Sequence, residues 1–152
     1  MTPASLTAIS RHFYHIRETL GPNRGFFVSM LQRFCHGKDG DAWCADFVSF
    51  VLDIAYMGKP PLRKTGSTQE MLSEAKVKGF FTTTPRADDL FFFVREDGTP
   101  HHVGIVTDVD SPGLSFIGIA GNTSDDGTSS NGTGVFEHAI TLTNGVVFVR
   151  LP

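Results

Sequence analysis

The chain has no apolar run approaching the roughly 20 residues of a membrane-spanning helix, and its 152 residues include only two cysteines, Cys35 and Cys44. The first absence excludes a spanning helix. The second excludes a disulfide scaffold. With six scattered histidines and no CxxC pair, a structural zinc site has no support. A Cys35–Cys44 bridge fits the spacing, but the expected reducing compartment disfavours it. Charge is scarce too: Asp, Glu, Lys and Arg make up 19% of residues, against about 25% in an average domain. The net charge is −3 and no basic run exists, so nucleic acid is not an expected partner. The N-terminal MTPASLTAISRHFYHIRETLGP lacks the apolar core of a secretory signal. The protein is expected to be made in the cytoplasm, with lysis or a secretion system carrying it to any target outside.

What is present is enough for one core. The chain is 40% hydrophobic with 14 Phe, in a length typical of one domain. A single domain spanning 1–152 and a monomer are expected. Residues 4–20 read as a helix capped by Ser5 or Thr7 and ended by Gly21–Pro22. Phe26, Phe27, Met30, Leu31 and Phe34 recur at helical spacing, which predicts a helix over 24–34. Asp41 is placed to cap a third, over 42–56, and a short fourth falls near 68–78. After Pro85 the pattern changes. LFFFV, HVGIVTDV, LSFIGIA, GVFEHAI and GVVFVRL are short, β-rich and separated by turns, which predicts five antiparallel strands. Helices first and a sheet second is an α+β order.

Cys44 falls in the first turn of the third predicted helix. Unpaired backbone N–H groups and the positive end of the helix dipole favour a thiolate there. A small buried packing residue fits the position equally well. Cys35 ends a helix, where the dipole disfavours an anion, and reads as packing. A cysteine nucleophile needs a base. His101 and His102 open a strand and point to opposite faces, so at most one can serve. A three-residue Ser111-Pro112-Gly113 loop with Asp110 facing Leu114 sets His102 opposite Asn122, on the face of Ala120; a two-residue turn sets His101 there instead. Gly113 favours the three-residue loop. His12, His15, His36 and His138 read as surface or packing.

WCADFVSFVL, then DDLFFF, HHVGIVTDV and AGNTS with GTGVF, in that order and preceded by GPNRG, resemble the CHAP family of cysteine peptidoglycan hydrolases, within the papain-like NlpC/P60 group. The resemblance covers about residues 20–150. It implies a papain-like fold and an amidase or endopeptidase acting on the peptide part of bacterial cell wall. It also implies Cys44 as nucleophile, His102 as base and Asn122 as the group that orients the base; Asp108 is the next candidate should Asn122 lie out of reach of His102. Many members carry Glu two residues before the asparagine; Ala120 stands there in this chain. Either Asn122 orients the base alone, or activity is reduced. Trp43 keeps the site dry and is a candidate to line the substrate groove with Asp125 and Asp126, whose Gly/Ser/Thr-rich loop otherwise reads as solvated. Some members bind calcium near the nucleophile. Asp39, Asp41 and Asp46 lie close in sequence but lack the spacing of a calcium loop, so no metal is expected, and no organic cofactor is implied.

Overall fold

The computed structural model describes residues 3–124 and 132–152. Four helices come first: α1 (Leu6–His12), α2 (Phe26–Phe34), α3 (Cys44–Ala55) and α4 (Thr68–Val77). Six strands follow: β1 (Phe81–Thr82), β2 (Leu90–Val94), β3 (Pro100–Ser111), β4 (Ser115–Thr123), β5 (Gly134–Thr141) and β6 (Val146–Val149). They form one antiparallel sheet in the order β1-β6-β2-β3-β4-β5. The α+β order is as the sequence predicts. The sixth strand, β1, has two residues, too few to show any alternation. Among the described residues, no helix is long and apolar enough to cross a membrane.

α1 is shorter than its predicted span of 4–20. Ser5 is the cap, its hydroxyl accepting from the Ala8 amide at 3.2 Å. Beyond His12 the chain turns and runs beside β5. The Ile16 carbonyl accepts from the Val135 amide at 3.1 Å, and the Glu18 amide donates to the Thr133 carbonyl at 2.8 Å. Backbone groups that a helix would have paired internally cover a sheet edge here. Asp41 does not cap α3. Its carboxylate accepts from the Lys38 amide at 2.9 Å, and Trp43 holds the cap position without a side-chain bond.

Alternation divides the apolar residues of the sheet between two layers. Leu90, Phe92, Val103, Ile105 and Ile119 pack with Trp43, Phe47 and Val51 of α3. Phe91, Val106, Phe116, Ala120 and Phe148 form the opposite layer. Phe116 on β4 and Phe148 on β6 have ring centroids 5.2 Å apart, though three strand spacings of about 4.8 Å separate their strands. The sheet is therefore strongly curled. Arg150, just after β6, locks it to β2: its Nε and Nη2 donate to the Asp89 carboxylate at 2.9 and 2.8 Å.

The β3–β4 hairpin differs from the predicted one. Ser111 pairs with Ser115. The Leu114 amide closes a turn on the Ser111 carbonyl at 2.9 Å, with Pro112 and Gly113 (φ 78°) at its centre. Proline then sits at the turn position its fixed φ favours, and glycine where φ must be positive. Two irregularities in the ladder shift the register, so that it reads Ile105↔Ile119 at the far end. Three residues further along each strand come His102 and Asn122. The expected level is reached by a different turn and two bulges.

Candidate active site

Cys44 is the first residue of α3 and is buried. Glycine at 121 permits this placement. A Cβ there would lie 2.7 Å from Trp43 Cζ3 and 2.9 Å from Phe47 Cβ, so the start of α3 rests directly on the β4 backbone. The Cys44 sulfur meets the backbone amides of Val103, Ala45 and Cys44 itself. Val103 follows His102, so the thiol abuts the strand that carries the candidate base. Burial pushes the thiol up to about 11, the three amides oppose the rise, and the Asp46 charge adds to it. The expected thiolate preference of a helix start is present but outweighed; the resting group is a thiol.

His102 lies on β3 opposite Phe93 of β2 and is 1% exposed. Phe93 stacks on the imidazole with centroids 5.4 Å apart at 25°. Burial pushes this histidine down to about 3, and His101 and His138 lower it further. Its resting form is the neutral imidazole. His101, on the other side of the strand, is half-buried and also lowered, first by burial and then by Arg95.

Asn122 is fully buried and has a left-handed backbone, φ 54°, which interrupts the alternation expected to put it on the face of Ala120. Both atoms of its side-chain amide, and His102 Nδ1, are buried without a hydrogen-bond partner. Each such atom costs about 1–3 kcal/mol. An arrangement that leaves three of them on adjoining strands is not optimised for stability. Asp108 cannot replace Asn122: it is exposed, its carboxylate accepts from the Val109 amide, and it lies six residues from His102, about 20 Å along a strand. Trp43 has no exposed surface; its Nε1 donates to Glu18 Oε1 at 3.0 Å. Asp125 and Asp126 lie outside the described residues.

The three acidic residues near Cys44 in sequence are engaged separately. Asp39 pairs with Arg33 at 3.3 Å, Asp41 holds the Lys38 amide, and Asp46 is buried against Gly66 and bonded to the Cys35 thiol. Among the described residues, no group of three or more His, Cys, Asp and Glu side chains converges as a metal site. Both cysteines are free thiols. Sequence reasoning missed the Val103 amide, Phe93 over the base, and Glu18 under the tryptophan. The Phe93 position was readable from strand pairing alone; the other two depend on tertiary packing.

No curated protein matches the chain. The family model for the CHAP domain matches residues 36–122, more than half of the chain, from the loop before Cys44 to Asn122. That match, which takes in the buried cysteine at the start of α3 and the histidine-bearing strand β3, makes the chain a member of the CHAP family, whose activity is in general that of a cysteine amidase or peptidase.

Proposed function

We propose that the protein is a cysteine hydrolase that cleaves amide bonds in the peptide part of bacterial peptidoglycan, with Cys44 as nucleophile, His102 as general base and Asn122 as the residue that orients the base. Hydrolysis of peptidoglycan is the general activity of the family. The observation that carries the assignment is the contact of the Cys44 sulfur with the Val103 amide, beside the fully buried His102.

The pair starts neutral. As the sulfur attacks the amide carbonyl, its proton passes to His102. The amides of Val103 and Ala45 stabilise negative charge on sulfur during that transfer. The Cys44 backbone N–H meets the carbonyl oxygen as it becomes an oxyanion. His102 returns the proton to the leaving amine, and water then hydrolyses the thioester and restores the thiol. Asn122 fixes the ring without adding charge, as in Cys-His-Asn enzymes. Trp43 forms a dry floor rather than a groove wall. The enzyme acts on the wall after delivery from the cytoplasm by lysis or secretion.

A second reading, a binding module that has lost its chemistry, is favoured by Ala120 and by the unpartnered Asn122 amide. Digestion of purified peptidoglycan separates the two. The hydrolase releases peptide fragments whose masses identify the bond cut, and the Cys44→Ala protein releases none. Equal release by both proteins, or none by either, removes the proposal.

A further inference from the structure

A cleft of about 400 Å³ is lined by Glu18, Gly21, Pro22, Asn23, Gly132 and Thr133. It lies outside the segment matched by the family model and borders both halves of the candidate site. On one side, Glu18 Oε1 holds the indole of Trp43, the residue before Cys44, at 3.0 Å. On the other, the Gly132 amide donates to the Asn122 carbonyl at 2.9 Å, and the Thr133 amide to the Thr123 carbonyl at 3.0 Å.

The lining is acceptor-rich. Glu18 has no ion-pair partner among the described residues, whereas Glu137, Glu74 and Asp89 each have one. Asn23 turns its Nδ2 to the Gly40 carbonyl, and its Oδ1 has no partner. Among the described residues, no lysine or arginine lines the cleft. The nearby Arg17 guanidinium is spent on the carbonyls of Tyr14, Ile16 and Val135. A carboxylate without an ion-pair partner, in a cleft lined among the described residues by no cationic side chain, fits a cationic ligand that also donates hydrogen bonds, and a primary ammonium is such a group.

We infer that this cleft is a specificity subsite for the side-chain ammonium of the diamino acid in the wall peptide, with Glu18 as its counter-charge. The inference rests on the peptidoglycan reading above and adds which part of the peptide is recognised. Glu18 then has two tasks: one oxygen steadies Trp43 beneath the nucleophile, and the carboxylate charge selects the substrate.

The test is calorimetric binding to the Cys44→Ala protein of the tetrapeptide L-Ala-D-isoGln-L-Lys-D-Ala and of its Nε-acetyl form. The free-amine peptide is expected to bind at least about 10-fold more tightly, the factor that about 1.4 kcal/mol of charge-assisted hydrogen bonding supplies. Adding Glu18→Gln, whose amide oxygen still accepts from the indole, is expected to bring the two peptides level by weakening only the free-amine form. Equal binding of the two forms to the protein that keeps Glu18, no binding of either, or discrimination that survives Glu18→Gln overturns the inference. The comparison in the Glu18 protein decides the matter even if the Gln variant fails to fold. Failure of the hydrolase reading shows separately, as a protein with Cys44 intact that binds the free-amine peptide but releases no fragment from purified peptidoglycan.

Discussion

Cys35 and Cys44 lie nine residues apart and at opposite kinds of helix end. Cys35 caps the C-terminus of α2; Cys44 opens α3. Burial raises both thiols, to about 12 and about 11. The groups facing each sulfur differ in kind. At Cys35 the strongest influence after burial is the Asp46 charge, and the thiol also donates a hydrogen bond to that carboxylate; a hydrogen bond from Ser49 and the Lys64 charge pull the other way. At Cys44 the amides of Val103 and Ala45 come second and third, and both favour the anion. The more buried sulfur is the better prepared one.

The largest expected effect tests that contrast directly. Cys44→Ala abolishes peptidoglycan hydrolysis, while Cys35→Ser keeps most of it, measured as release of soluble peptide. The reverse result would show that the amide-lined sulfur is not the nucleophile. Next come the paired histidines. His102→Ala is expected to lower turnover by roughly 100- to 10,000-fold, as loss of a general base does, and His101→Ala far less. Similar losses would mean that burial against Phe93 does not mark the base. Asn122→Ala is expected to cost roughly 10- to 1000-fold, about 1.4–4 kcal/mol; unchanged turnover would leave its unpaired amide without a catalytic role.

Asp46 sharpens the comparison through pH. Burial pushes this carboxyl up to about 7 from 3.8, with the Cys35 hydrogen bond opposing. A raised folded pKa means that the fold binds the proton more tightly than the unfolded chain does. Its contribution is full below about pH 4, falls as pH rises through about 7, and is flat above. Asp46→Asn is therefore expected to gain unfolding free energy relative to wild type at pH 8 but not at pH 4, by on the order of a few kcal/mol, measured by denaturant titration. His102 acts in the other window. Its depressed folded value removes stability as pH falls from 6.5 towards 3. An Asp46→Asn gain that is the same at both pH values would show that the carboxyl is not held neutral. The smallest effect is on labelling: Asp46→Asn should speed iodoacetamide alkylation of Cys35 in unfolding-free conditions more than that of Cys44, because Asp46 ranks second among the influences on Cys35 and fourth on Cys44.

Much of this architecture is legible in the sequence alone. Short Phe- and Val-rich runs between turns mark five of the six strands, and the WCA and HHVGIV motifs fall on α3 and β3, the elements that carry Cys44 and His102. Local rules fail where long-range partners decide. The arm after His12 carries residues compatible with a helix, yet its amides serve β5. Asp41 is a plausible cap by type, yet it closes its own loop on Lys38. The hairpin turn is misread because bulges further up the ladder cannot be seen from the loop. The protonation state of the site is illegible as well: the helix start argues for a thiolate, and only the packing of Trp43 and Phe47 on Gly121 shows how thoroughly water is removed.

β6 follows every other element in the chain, yet it lies between β1 and β2 in the sheet. A growing polypeptide therefore leaves the ribosome with a gap in its sheet. β2 lacks one neighbour, Asp89 lacks Arg150, and the pairing that completes the curl spans more than 50 residues. Such distant closure is slow compared with helix formation. The candidate site hangs on β3 and β4 of that sheet, so the frame around it is closed late, by a strand that emerges after the other nine described elements.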